Sequence, residues 1–365
     1  MTKVKELVKE LECFAPSALK EDFDNVGLLV GDSELEVSAV LITLDITEEV
    51  IDEAINRSCN VVVSHHPIML SGVKRITGKN DTERVLLKAI KNDIAIYASH
   101  TNVDSVMKGV SGRMCEKLNL KDCKVLAPKK NSLIKLVTFV PTNNIEQVRS
   151  AIFEAGAGVI GNYDCCSYSI NGKGSFRAGN DAKPFVGSIG QLHEEEEVRL
   201  ETVLPSYIQA KVVSALIKAH PYEEVAYDVY PVSNEWPSVG LGMVGELEKE
   251  EEPLEFLKKI KTIFNAGVVR HTEILDKPIK RVAVCGGSGS FLLNKAIASN
   301  ADVFITGDFK YHQFFDAEKR IIIADIGHFE SEQFTKEVFF EILTKKFSNF
   351  AVHLSNVNSN PVNYI

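Results

Sequence analysis

No stretch of this chain approaches the ~20 consecutive apolar residues that a membrane-spanning helix needs. It has no Cys-x-x-Cys pair either, and its seven cysteines are an odd number. The adjacent Cys165 and Cys166 are poorly placed to bridge each other. Neither a thiolate-bound structural zinc nor a disulfide framework is expected, and the thiols are read as reduced, in a cytoplasmic protein. An excess of basic residues is also missing. Lys and Arg total 41 against 50 Asp and Glu, a formal charge of −9. Nucleic-acid binding is not expected, because neutralising phosphates takes clustered Lys and Arg. The first residues, MTKVKELVKELECF, are too charged for a secretory signal and read as an amphipathic helix, apolar at Val4, Leu7, Val8 and Leu11.

What is present is ordinary core-forming material. Hydrophobic residues make up 45% and charged residues 25% of 365, which suits two or three domains. From Val37 onward, short β-branched runs alternate with helical stretches. Residues 37–45, 60–67 and 93–100 read as buried strands, with helices between them. Thr47 is placed to cap the first helix. Continuous apolar strands separated by helices imply a parallel sheet covered on both faces.

Residues 280–287, 301–308 and 320–328 repeat this plan, with helices read in SFLLNKAIASN and around HQFFDAEK. Each half ends a strand with a histidine followed four residues later by a carboxylate: His100 and Asp104, then His328 and Glu332. The two halves therefore read as an internal duplication. Between them, the order strand–helix, small strands with Gly-rich turns, strand–helix–strand is that of a ferredoxin-like unit. The expected fold class is α/β: duplicated α/β halves, 1–126 and 236–365, forming one metal-binding domain interrupted by an α+β insert, 127–235. Pro237 is expected to break regular structure at the exit.

Three motifs carry chemistry. In SHHP, His65 and His66 follow a strand that is otherwise Val61-Val62-Val63, at the strand end where α/β proteins place ligands. Adjacent side chains on a strand point to opposite faces, so both reach one site only if the backbone turns there. Pro67 supports such a turn. In HTNVD, His100 ends a strand and Asp104 follows. In GHFESE, His328 and Glu332 share a helix face, a chelating spacing, while Glu330 and Glu337 lie on other faces and read as solvated. Each has a plainer reading: a surface His pair, a helix-capping Asp, a surface His–Glu pair. Together, five nitrogen and oxygen donors exceed the three of a catalytic zinc and fit two ions sharing a bridging carboxylate, ~3.5–4 Å apart. Zinc leads, with manganese or iron also suited.

Weaker features remain. CGGSGS at 285–290 is read as a tight turn in preference to an anion cradle. Asp24 and Asn25 are read as a turn into a strand, and His220 of HPYEE as structural. Asp308 matches the HHP position in the repeat and is a possible extra carboxylate for the cavity. The acidic run HEEEEVRLE is read as a solvated strand or loop.

The segments FDNVGLLVG, SHHP, HTNVD, ITGD and GHFESE resemble the NGG-interacting-factor-three-like family, whose bacterial members are called GTP cyclohydrolase 1 type 2 homologues. The resemblance spans essentially the whole chain. GAGVIGNYDCCSYSINGKGSF and HPYEEVAYDVYP resemble the PII-like insert of longer bacterial members. The resemblance implies a dinuclear divalent-metal site on His65, His66, Asp104, His328 and Glu332, with Glu332 bridging and His100 beside the site. It also implies a toroidal homohexamer with these sites facing an inner cavity. GVSGRM after HTNVDS departs from the family's frequent Gly-Gly-Val-Asn, at a helix start and not at a ligand. The function expected is a metal-dependent hydrolase of a nucleotide or phosphorylated small molecule, with His100 as a catalytic proton donor or as a group orienting a ligand. The alternative is a non-enzymatic metal-binding or regulatory hexamer whose insert senses a ligand.

Overall fold

The computed structural model describes residues 1–365. They form two compact units, one of residues 1–127 with 238–365 and one of residues 128–237. No helix is long and apolar enough to cross a membrane.

The first unit contains two mixed sheets. The first runs in the order Gly27–Val30, Ala95–Ala98, Val61–Ser64, Ala39–Thr43, Ala351–Leu354, parallel throughout except for the antiparallel edge strand Gly27–Val30. Its three central strands are buried at every residue, as continuous Val, Ile and Ala runs require. One face packs Val40, Ile42, Val61 and Val63 against Leu7 and Leu11 of the N-terminal helix and Phe339 and Leu343 of the helix Thr335–Lys346. The other packs Leu41, Val62 and Ile96 against Val50, Ile51, Val85 and Ala89. Each of these Val, Leu, Ile and Phe side chains, fully buried, contributes roughly 1.5–3 kcal/mol. Thr47 caps its helix by accepting from the Val50 amide.

The second sheet runs Arg270–His271, Ile322–Asp325, Val303–Gly307, Ile279–Ser288, Trp236–Glu251, Lys121–Lys129. Its central strands Ile279–Ser288, Val303–Gly307 and Ile322–Asp325 are parallel. Their residues alternate between two apolar clusters, Val282, Val284 and Ile305 on one side and Ala283, Cys285 and Phe304 on the other.

The second unit is a four-stranded antiparallel sheet, ordered Ser167–Arg177, Leu192–Pro205, Leu133–Pro141, Tyr227–Val232. The helices Ile145–Glu154 and Gln209–Ala219 bury Val148, Ile152, Val212 and Leu216 against Ile134, Leu136, Leu200 and Leu204. Alternation along the strands leaves Phe139, Glu197 and Arg199 facing away from these helices.

Several local expectations are corrected. Pro237 does not end regular structure; it is the second residue of the long strand Trp236–Glu251, a strand-start position where a missing N–H is tolerated. The glycines near 172 do not divide small strands. Ser167–Arg177 is one strand, held by its unbroken register with Leu192–Pro205. The HQFFDAEK region is a 3₁₀ turn, Tyr311–Ala317, closed by left-handed Glu318 and Lys319. The strand Ala351–Leu354, unread in the sequence, completes the first sheet.

Candidate metal centre

Parallel strands bring their C-terminal ends to one edge of a sheet. In the first sheet, Ala39–Thr43, Val61–Ser64 and Ala95–Ala98 deliver Asp45, His65, His66 and His100. The His65 and His66 amides still pair with the Thr43 and Leu44 carbonyls. The turn that brings both rings to one site is pinned by Ser64 Oγ, which donates to the His66 carbonyl at 2.8 Å. Thr43 Oγ1 does the same for Asp45 at 2.8 Å. Such short hydroxyl-to-backbone bonds hold chain that has left the ladder. His100 precedes the short helix Thr101–Asp104, which carries Asp104. The second sheet delivers Asp308 and the helix His328–Glu332.

Glu332 lies between these groups. Its Oε2 is 3.0 Å from His66 Nε2 and 3.1 Å from His328 Nε2, and its Oε1 is 3.6 Å from His65 Nε2. Asp104 Oδ1 is 3.8 Å from the same His65 nitrogen. Two triads, His66–His328–Glu332 and His65–Asp104–Glu332, each have donor atoms within 4.8 Å of one another, and His65, His66 and His100 form a third such group. His65 Nε2, Asp104 Oδ1 and Glu332 Oε2 are buried and make no hydrogen bond. The imidazole nitrogens near Glu332 are close but not aligned as donors. Buried polar atoms are almost always paired, so three unpaired ones converging in a His and carboxylate cluster fit a divalent cation.

All four imidazoles are oriented alike. Nδ1 of His65 donates to the Ser99 carbonyl at 3.0 Å, that of His66 to Asp45 at 2.7 Å, that of His100 to Asp24 at 2.8 Å, and that of His328 to Asp308 at 2.6 Å. Each partner is an acceptor only, so the Nδ1 hydrogen is fixed and Nε2 faces the cluster. Metal-binding histidines are held this way.

Charge in the cluster is strongly coupled. Burial raises the Asp104 carboxyl, and neighbouring Glu332 raises it further, to about 8. Burial also opposes ionisation of Glu332, but the imidazoles of His65, His328 and His66 hold it well below the usual range. Burial disfavours the His66 imidazolium, yet Asp45 and Glu332 push it up to about 10; Asp308 and Glu332 push His328 to about 11. The side chains draw in positive charge as protons where a dication would supply it.

The Duf34/NIF3 (NGG1p interacting factor 3) family model matches residues 2–361. The Bacillus subtilis protein named GTP cyclohydrolase 1 type 2 homolog is 39% identical over 99% of this chain and 98% of its own length. This chain belongs to the Duf34/NIF3 family. A solved Bacillus cereus protein related to NIF3 is similar at 39% identity with a TM-score of 0.86, covering 100% of this chain and 99% of that one. A Staphylococcus aureus protein is similar at 29% identity and a TM-score of 0.79, with the same coverage.

Within this Duf34/NIF3 chain, some site features escaped the sequence reading. Asp24, read only as a turn residue, is 5% exposed and accepts from His100 and from the Thr101 amide and hydroxyl. Asp308 lines the cavity beside the cluster, as its place in the repeat suggested, and its carboxylate accepts from His328 Nδ1. Glu330, expected in solvent, is 5% exposed and accepts from Asn360. The helix ends at Glu332, and the C-terminal segment carrying Asn360 covers Glu330. Cys285 to Ser288 of CGGSGS continue the strand Ile279–Ser288 instead of forming the expected tight turn, and the Gly287 amide donates to Ser331 Oγ. Gly286 and Gly287 serve instead to let Glu332 approach. A Cβ at Gly287 would collide with Glu332 Oε1, and one at Gly286 would collide with Val110 Cγ1 and crowd Glu332 Cγ. A cavity of about 470 Å3 beside the cluster is lined by Asp45, His66, Arg270, Asp308, His328 and Tyr364, among others.

Proposed function

We propose that this cluster holds two divalent metal ions, one at each triad, with Glu332 as the shared carboxylate. The observation that carries this reading is Glu332 itself: one oxygen faces His66 and His328 while the other faces His65. The proposed ligands are His65, His66, Asp104, His328 and Glu332, with zinc favoured and manganese or iron also compatible with an all nitrogen and oxygen donor set. The matching pairs Asp45–His66 and Asp308–His328 support a duplicated origin for the two halves. Residues 127–235 are proposed as a PII-like, ferredoxin-like insert, and the assembled form as a toroidal homohexamer.

The proposed reaction is hydrolysis of a nucleotide or other phosphorylated small molecule, a class to which the relatives' name also points. Bound in pairs, divalent ions activate water and neutralise charge developing on an oxyanion. The chain's own residues do the rest. His100, its Nδ1 hydrogen committed to Asp24, keeps Nε2 free to carry a proton. Arg270 lines the adjoining cavity and offers it a cation. Its guanidinium bonds the Phe309 carbonyl and Asp325.

Metal-replete protein, Glu332→Gln and His100→Gln are compared in elemental analysis and in hydrolysis of a panel of nucleotides and phosphoesters. Close to two ions per chain and turnover are expected for the wild type, loss of one or both ions for Glu332→Gln, and retained ions with lost turnover for His100→Gln. Less than half an ion per chain after reconstitution overturns the dinuclear reading. Full metal content without turnover on any member of the panel overturns the hydrolase and leaves a metal-binding or regulatory role.

A further inference from the structure

The insert contains a cavity of about 1040 Å3, more than twice the volume of the about 470 Å3 cavity beside the histidines. All its lining residues belong to the 128–237 unit. It opens on the sheet face turned away from the two helices, where Phe139, Glu197 and Arg199 project. The strand across from Glu197 contributes glycine: Gly172 is its register partner, and Gly174 lies two residues on. A Cβ at Gly174 would collide with Glu197 Oε2. The missing side chains leave open space above the sheet and allow the Glu197 carboxylate to lie against the neighbouring backbone.

Glu197 is only 9% exposed. A buried carboxylate costs several kcal/mol unless donors compensate it, and here Tyr222 Oη donates to Glu197 Oε1 at 2.8 Å. Tyr222 is itself fixed by the HPYEE segment. Its amide donates to His220 Nδ1 at 3.1 Å, and His220 Nε2 donates to the Phe139 carbonyl at 3.0 Å. Glu223 of the same segment accepts from the Lys183 amide at 2.7 Å, which ties down the chain that carries Phe185. The Phe176 and Phe185 rings lie 6.1 Å and 6.2 Å from Tyr222 at tilts of 60° and 51°. At the rim, Lys173 is paired with Glu196 and Arg199 with Glu201, but the Arg177 side chain is exposed and makes no ion pair or hydrogen bond.

We infer that this cavity is a second small-molecule site, for a flat heterocycle with two adjacent N–H donors and an anionic tail, the chemistry of a guanine nucleotide. Aromatic walls suit a planar ring. The two oxygens of a carboxylate match the parallel N–H groups on the guanine edge, and an adenine or hypoxanthine ring cannot fill both. Leaving a buried acceptor unfilled is what gives such sites their selectivity. Arg177 is the free cation for the phosphate. This inference stands apart from the metal centre, whose residues all lie in the other unit.

Calorimetric titration of the full chain with GMP, IMP, AMP and guanosine tests it, repeated in Glu332→Gln so that binding at the metal centre is separated. GMP is expected to bind at least 10-fold more tightly than IMP or AMP, and equally well in Glu332→Gln. Glu197→Gln, checked by melting curve, is expected to abolish the preference for GMP over IMP. Arg177→Ala, a change at an exposed rim position, is expected to weaken GMP and leave guanosine unchanged. No GMP binding in the folded wild type, or GMP binding lost in Glu332→Gln but untouched in Glu197→Gln and Arg177→Ala, overturns the proposal.

Discussion

Asp308 accepts a hydrogen bond from Nδ1 of His328 at 2.6 Å, across 20 residues of sequence. Asp308 closes the strand Val303–Gly307 and sits in the left-handed region at φ +60°, a conformation Asp tolerates better than most residues. Asp45 relates to His66 in the same way at 2.7 Å, across 21 residues. Both carboxylates fix the tautomer and direction of a ring whose other nitrogen faces Glu332.

Asp45→Asn and Asp308→Asn should therefore weaken metal binding without removing a ligand. Asn can still accept from Nδ1 but no longer supports the ring with a negative charge, and losses of this kind are typically about 10–100-fold in metal affinity. Competition against a chelator of known affinity gives the number. Melting temperatures within a few degrees of wild type are expected, because both carboxylates lie at strand ends and are partly exposed. Affinity unchanged in both variants would show that the two carboxylates do not support the site.

Residues 128–237 contribute no donor atom to the cluster, since His65, His66, His100, Asp104, His328 and Glu332 all belong to the other unit. The strands Lys121–Lys129 and Trp236–Glu251 that lead into and out of the insert are neighbours in the second sheet. Replacing the insert by a short flexible linker between Ala127 and Ser238 should leave a folded protein with wild-type metal stoichiometry. A folded, soluble deletion protein that cannot be loaded with metal would refute this division of labour.

The convergence of His65, His66, Asp104, His328 and Glu332 was legible in the sequence because each ends or follows an apolar strand run, and that pattern survives without knowledge of the neighbours. Asp24, Asp45 and Gly287 were not legible. Asp and Gly at strand ends are the commonest turn residues, and nothing local separates a carboxylate that holds an imidazole from one that faces water. Glu330 was misread for a related reason. Helical spacing places it off the His328–Glu332 face, but the chain that covers it is 30 residues away. The strand Ala351–Leu354 was missed because its apolar run is short and broken by His353, with no turn signal to mark it as an edge strand of the first sheet.

Asp302 ties the turn before Val303 to the start of the neighbouring strand. Its Oδ2 accepts from the Lys280 and Arg281 amides at 2.9 and 2.8 Å, and Oδ1 pairs with Lys277 at 2.7 Å. Burial opposes its ionisation, but Lys277 and the two amides hold its pKa below the ordinary 3.8. The folded state therefore binds this proton less readily than the unfolded chain. The stabilisation is fully present above pH 3.8 and is lost as pH falls through the lower, folded-state value. Asp302→Asn should cost about 1–3 kcal/mol near neutral pH, the scale of hydrogen bonds to a charged group. The difference from wild type should shrink in denaturant titrations as pH is lowered below 3.8 and through the folded-state value. A difference independent of pH would mean that the charge of Asp302 adds nothing.

Gly287 gives the sharpest separation of fold from site. At φ +62° it adopts a conformation that glycine reaches without strain, and its missing side chain is the space that Glu332 Oε1 occupies, with His328 Cε1 3.3 Å from where a Cβ would stand. Gly287→Ala carries two separate penalties. The backbone cost is about 1 kcal/mol. The steric cost falls on the carboxylate of Glu332, a 3% exposed side chain that would have to shift away from its place between the two triads. Gly161 lies in the same region at φ +58° but has nothing within 4 Å of its would-be Cβ, so Gly161→Ala measures the backbone cost alone. Both variants should fold, with Gly161→Ala losing a few degrees of melting temperature and Gly287→Ala losing more by its added steric cost. Only Gly287→Ala should lose metal, with stoichiometry falling by at least half on elemental analysis although every donor residue is intact. If Gly287→Ala binds metal as the wild type does, the Glu332 carboxylate is free to move, and its fixed position between the two triads is not what the site depends on.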